Sequence, residues 1–381
     1  MLFNSFEFAL FFPAVVILFF CIPQRFRWVF LLAASYYFYM AWKAEYLVLI
    51  MISTLTTWLA ALGIHRSDNP AARKVLLASV LAVNLGILFG FKYFNFFNHE
   101  IRELCNSLNI FYGVPALQVA LPVGISFYTF QALSYSIDVY AGRKKPERHL
   151  GVFALYVAFF PQLVAGPIER STRLLPQFFK KTQPSAERTV SGLRLMLWGY
   201  MKKMVVADSL ALYVNQVFNS PGSHSGISFI IAAYFFTFQI YCDFSGYSDI
   251  ARGAARILGY ELMVNFRVPY LSKSIAEFWR RWHISLSTWF RDYLYIPLGG
   301  NRVPTSRFYF NIIVVFLLSG MWHGANWTFI AWGLIHGICI VISAATGARK
   351  RVSQFFGMDR RPAFARILAI FATFHIVVVA W

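Results

Sequence analysis

Two histidines stand where an ionisable side chain is costly. His323 lies in SGMWHGANW (319–327), directly after the apolar run FYFNIIVVFLL, and His283 lies in FWRRWHISLSTWFRDY (278–293). An ionisable residue at membrane depth is a functional-site hypothesis by default. A neutral imidazole can take a proton from a hydroxyl, which is what general-base acyl transfer requires. Gly320 and Gly324 flank His323, so either helices approach closely there or a substrate reaches the ring. The spacing alone leaves structural and catalytic roles open.

His283 sits among Arg280, Arg281, Arg291 and Asp292. Arg291 and Asp292 are either a local ion pair or part of a polar wall that recognises a phosphate- or carboxylate-bearing ligand. Trp322 and Trp327, on either side of His323, read as packing or interface anchors. Of the other histidines, His65, His99, His149 and His224 fall in loops or at the ends of apolar runs. His336 and His375 lie inside such runs, where hydrogen bonds to a neighbouring helix are expected. Asp243 and Asp249 in YCDFSGYSDIARG flank a Gly/Ser break and read as helix caps, with a direct substrate role as the alternative.

Rival chemistries lack their signatures. There is no G-x-x-x-x-G-K-[ST] loop, no HExxH and no paired CxxC, so no metal site is expected. GISFY begins like a nucleophile elbow but lacks its closing glycine. The four cysteines are scattered and read as buried, inert thiols. No convincing internal repeat of the kind found in secondary transporters stands out.

The elements that position these residues must lie in lipid. The chain is 58% hydrophobic and 13% charged, with mean hydropathy +0.55; soluble domains carry about 25% charged residues. Apolar runs approaching the ~20 residues needed to span a bilayer recur along the whole length. The first, Leu2–Ile22, lacks a basic leader and a small-residue cleavage site and reads as a retained span. The net charge of +19 suggests nucleic acid only until its placement is considered. Most Lys and Arg fall in seven segments between apolar runs, around Arg25, Arg66, Arg143, Arg170, Arg256, Arg302 and Arg349. That distribution is a cytoplasmic bias that sets orientation and meets anionic lipid.

With the N-terminus outside, spans at about 75–97 and 117–140 return the chain to GRKKPERH inside. Residues 149–165 then break the alternation, because both flanks are basic. A segment that dips in and returns, broken at Pro161, Gly166 and Pro167, removes the conflict. Residues 278–298 show the same pattern, and two re-entrant segments imply an interior cavity or tunnel. Spans near 190–217 and 227–247 lie between them. After Arg307 a long apolar stretch should form a hairpin turning at WHGAN.

LPVGISFYTFQALSYSIDVYAG (121–142), FFPQLVAGPIERSTRLLPQF (159–178), NFRVPYLSKSIAEFWRRWHISLSTWFRDYLYIPLGGNR (265–302) and SGMWHGANWTFIAWGLIHG (319–337) together resemble the membrane-bound O-acyltransferase family. Within it they are most similar to the branch holding the membrane subunit of bacterial alginate O-acetylation. The resemblance implies an all-α polytopic fold, a ring of about nine to eleven transmembrane helices with re-entrant segments around a central tunnel. It implies that His323 is the family's membrane histidine and that His283 belongs to the tunnel wall, which makes the two the candidate catalytic pair. Arg291, Asp292, Trp322 and Asn326 are then candidate tunnel or substrate-binding residues.

The implied activity is O-acetyl transfer to an exopolysaccharide, with alginate favoured, in the bacterial inner membrane. Acetyl-CoA is the implied donor, with no tightly bound cofactor, and periplasmic esterase-like proteins are the implied partners. D-alanyl transfer to teichoic acid, acetylation of cellulose or peptidoglycan, and a non-catalytic acyl translocator are the alternatives. We expect one integral membrane domain over 1–381 that is C-terminally incomplete, since Trp381 falls inside an apolar run.

Overall fold

Local sequence sets the helix ends. Ser5 accepts a hydrogen bond from the Phe8 N–H (3.2 Å) and opens α1 (Phe6–Cys21). Asn69 accepts one from the Ala71 N–H (2.9 Å) ahead of α4 (Pro70–Leu88), whose first residue has no N–H to satisfy. Between them lie α2 (Arg27–Met40) and α3 (Leu47–Arg66). A π-helical turn at Phe89–Tyr93 leads into α5 (Phe94–Ser107). The next helix, α6 (Ile125–Tyr140), starts later than the span expected over 117–140. Pro122 has no N–H for a helix interior, and Gly124 takes a left-handed conformation at φ +75°.

Then come α7 (Leu150–Ala158), α8 (Phe160–Leu163), α9 (Ser171–Phe178) and α10 (Ala186–Tyr200). A second π-helical stretch, Met201–Ala207, joins α10 to α11 (Asp208–Asn219), and α12 (Gly226–Ile257) follows. The last elements are α13 (Ile275–Arg281), α14 (Ile284–Phe290), α15 (Thr305–His323), α16 (Trp327–Thr346) and α17 (Pro362–Ala380). This computed structural model describes residues 1–164, 166–346 and 362–381. The basic loop at Arg349, expected in the cytoplasm, lies outside the described residues.

Among the described residues the chain is helical, with no strand, and six helical stretches are long and apolar enough to cross a membrane. The helix within the first apolar run has 16 residues and falls below that length. The described residues divide into two compact units, Met1–Met196 with Ile250–Met263, and Leu197–Asp249 with Val264–Trp381.

In the first unit α3, α4 and α6 pack together, and α7 packs on α2 and α3. Every residue from Val152 to Leu163 is buried. The expected break within 149–165 falls at Phe159, between α7 and α8, two residues ahead of Pro161. With nine residues, α7 rises ~13 Å, well short of a ~30 Å hydrocarbon layer. Buried polar groups are answered locally: the Gln131 and Gln162 amides both donate to the Tyr156 carbonyl, at 2.6 and 2.7 Å.

In the second unit α15 and α16 form the expected hairpin, turning at Gly324–Asn326. Gly320 faces Phe329 and Gly333 across it, and a methyl group on Gly320 would strike the Phe329 carbonyl. Small residues at that crossing let the two backbones meet. Asp243 and Asp249 are not caps. Both lie inside α12 and pair with the π-helical stretch, Asp243 with Lys203 at 2.7 Å and Asp249 with Lys202 at 2.6 Å. Of the cysteines expected to be buried thiols, only Cys242 is buried, and Cys21 is exposed.

Candidate active site

The site is built in the second unit by two turns of backbone. Ser274 caps α13, accepting from the Glu277 N–H (3.2 Å), and Glu277 reaches back to the Lys273 N–H (2.9 Å) and forward to Arg281 (2.7 Å). This S-x-x-E start is a capping pattern, and it fixes the short helix that carries Trp279 and Arg280. The chain then turns at His283, whose φ of +43° is left-handed, and re-enters helix at Ile284. Such a conformation is rare outside glycine and persists only where the surroundings dictate it.

The turn delivers the His283 ring to the interior. It is 1% exposed, with the Phe244 ring edge-on at 4.6 Å between centroids. Trp322 lies at 5.8 Å and His323 at 6.2 Å. His283 lies outside the six membrane-length helices. Burial, with His323 beside it, pushes the pKa of this imidazole well below its ordinary range, so the ring is neutral at physiological pH. His323 ends α15 and is half-buried, packed between Trp322 (5.1 Å) and Trp332 (4.9 Å). One imidazole is thus sealed in protein while its neighbour is half-buried, with its Nε2 enclosed.

The remaining candidates are placed as follows. Trp322 is buried between the two histidines in sequence and space. Arg291 and Asp292 start a π-helical turn and pair with each other, Nε to Oδ1, at 2.8 Å. Asn326 is exposed at the hairpin turn, where its amide oxygen accepts from the Thr328 N–H at 2.9 Å. Among the described residues His336 finds no hydrogen-bond partner on another helix. It is fully buried among the rings of Trp279 (5.0 Å), Trp332 (5.1 Å) and Phe278 (6.3 Å). His375 bonds within its own helix, to the Phe371 carbonyl at 2.7 Å.

A cavity of about 390 Å³ lies in the same unit, lined by residues of the elements that carry the two histidines but by neither histidine itself. Leu286, Phe290, Ile312 and Phe316 give it apolar walls, and Arg280, Arg291 and Ser319, one turn before His323, also line it. An apolar slot with a few convergent charges is the usual form of a site for a small amphipathic ligand. No group of His, Cys, Asp or Glu among the described residues is arranged to hold a metal.

Two features escaped the sequence reading. Asn265 accepts from the Ile284 and Ser285 N–H groups just after the turn at His283, which its place at the head of the NFRVPY motif does not reveal. The Lys202–Asp249 and Lys203–Asp243 pairs bring together residues 47 and 40 positions apart, which charge patterning along one helix does not reveal.

Residues 149–380 match the membrane-bound O-acyltransferase family. A probable alginate O-acetylase of Pseudomonas putida is 40% identical over 375 residues, covering 98% of this chain and 74% of that protein. A peptidoglycan O-acetyltransferase of Helicobacter pylori is 37% identical, covering 92% of this chain and 69% of that protein. A teichoic acid D-alanyltransferase of Streptococcus thermophilus is 30% identical, with 68% and 67% covered.

Proposed function

The chain belongs to the membrane-bound O-acyltransferase family, and on that footing we propose that it is an O-acetyltransferase subunit acting on alginate. It is a multi-pass helical membrane protein and an O-acyltransferase. The proposal adds that acetyl groups pass through the inner membrane from cytoplasmic acetyl-CoA, and that periplasmic esterase-like partners place them on polysaccharide hydroxyls. The observation that carries the reading is the pair His283–His323, neutral imidazole beside half-buried imidazole, in the same unit as a slot that Arg280 and Arg291 help to line.

The chemistry asks little more than this. An imidazole nitrogen at His323 either accepts the proton of the attacking hydroxyl or takes the acetyl group itself and hands it on. In both cases the C–S bond of the thioester breaks and the thiol leaves with a proton. Arg280 and Arg291 suit the phosphates of a nucleotide thioester, and the apolar walls suit its pantetheine arm. The short broken pairs α7–α8 and α13–α14 support two re-entrant segments within a ring of about nine to eleven helices, since neither pair is long enough to cross lipid directly.

A second reading, acetylation of peptidoglycan, is favoured by the similarity to the Helicobacter pylori enzyme. Deleting the gene and measuring ester-linked acetate on each purified glycan separates the two. Loss from alginate alone supports the proposal; loss from peptidoglycan alone replaces it with the second reading; no loss from either rejects both.

A further inference from the structure

The left-handed turn at His283 needs something to hold it, and one buried residue does so with both its main chain and its side chain. The main-chain carbonyl of Asn265 accepts from the Ile284 N–H (2.9 Å), and its side-chain oxygen accepts from the Ser285 N–H (3.1 Å). These are the first two N–H groups of α14, which have no partner within their own helix. The side-chain nitrogen of Asn265 donates to the Ser248 hydroxyl (3.3 Å) on α12. One turn earlier on that helix stands Phe244, whose ring packs edge-on to the His283 imidazole. Two residues further along, the Arg267 N–H bonds to the Arg281 carbonyl (2.9 Å), so 265–267 runs beside the turn as a brace. Asn265 is 1% exposed and Ser248 2%.

We propose that Asn265 is a positioning residue for His283. It locks the start of α14 to α12, and that lock fixes where the left-handed turn aims the imidazole relative to His323. The amide is suited to the task because it offers an acceptor and a donor at once, one for each side of the joint. A hydrocarbon of the same size fills the space and holds neither. His283 would then be free to relax toward ordinary backbone angles and swing its ring off the His323 axis. A displacement of about 1 Å in a catalytic constellation costs roughly 10²-fold in rate.

The inference rests on the proposed role of His283 in acetyl transfer, so the test includes that residue. Radiolabelled acetyl-CoA is supplied to membranes carrying the chain with its periplasmic partners, and kcat and KM are measured per folded molecule. Asn265→Leu should lower kcat ~100-fold with KM for the donor unchanged. Asn265→Asp, which keeps the acceptor for Ser285 and can take a bond from the Ser248 hydroxyl, should recover to within about tenfold of the parent. An Asn265→Leu protein with parental kcat beside an inactive His283→Ala protein overturns the positioning role and leaves the proposed role of His283 standing. An active His283→Ala protein removes both. If neither Asn265 variant inserts and folds, the residue serves folding and the inference fails.

Discussion

The imidazoles of His283 and His323 lie 6.2 Å apart, centroid to centroid, with their planes inclined at 58°. They arrive from different elements, one from a strained turn between two short helices and the other from the last turn of a membrane-length helix. Bringing them together takes α12, α13, α14 and the α15–α16 hairpin, so the pair depends on packing throughout the second unit.

The pair Arg291–Asp292 separates site from scaffold. Their side chains are 58% and 30% exposed, and a pair so open to solvent contributes ~1 kcal/mol or less. Asp292→Asn should therefore leave the amount of folded protein unchanged, and acetyl transfer should fall if the pair shapes the donor slot. Activity and abundance measured together decide it: full activity at full abundance removes Asp292 from the site.

The pair Lys202–Asp249 behaves in the opposite way. Its side chains are 9% and 17% exposed, and the lysine also donates to Ser245 at 3.0 Å. Lys202→Met removes the lysine from a largely buried ion pair, and breaking such a pair costs about 3–5 kcal/mol. We expect a clear loss of thermal stability in detergent. The double variant Lys202→Met/Asp249→Leu should recover most of it, and a double variant as unstable as the single contradicts the assignment.

Glu169, between α8 and α9, gives the first unit a pH dependence. Its side chain is fully buried, one oxygen accepts from the Met263 N–H, and Arg170, Arg173 and Arg252 lie nearby. Burial outweighs these and pushes its pKa up to about 7. Because the folded value lies above the unfolded one, the stabilising contribution is complete below the unfolded pKa near 4.5 and is lost as pH rises through about 7. The difference is on the order of 3 kcal/mol. Glu169→Gln should flatten this decline between pH 5 and pH 8; an unchanged decline in the variant contradicts it.

Much of this was legible in the sequence because it was written in hydropathy and charge. The membrane class, the hairpin turning at WHGAN, and broken short helices near 149–165 and 278–298 all follow from apolar length, basic flanks and Pro/Gly placement. Details that depend on tertiary partners were not legible. Asp243 and Asp249 read as caps because their lysine partners lie on a different helix. The helix of 117–140 starts at Ile125 because Gly124 is left-handed, a choice that apolar content does not encode. The approach of His283 to His323 spans forty residues of sequence and required the fold itself.

The central claim is that an imidazole nitrogen at His323 does the chemistry, and His323→Gln tests it most directly. Glutamine can fill the space and hydrogen-bond, but it neither takes a proton at neutral pH nor carries an acetyl group. With its partners present and the amount of inserted protein matched to the parent, ester-linked acetate on the polysaccharide is measured. The expected result is a fall of about 10²–10⁴-fold; near-parental acetylation would show that His323 only lines the path and that the acid–base or acyl-carrying group lies elsewhere.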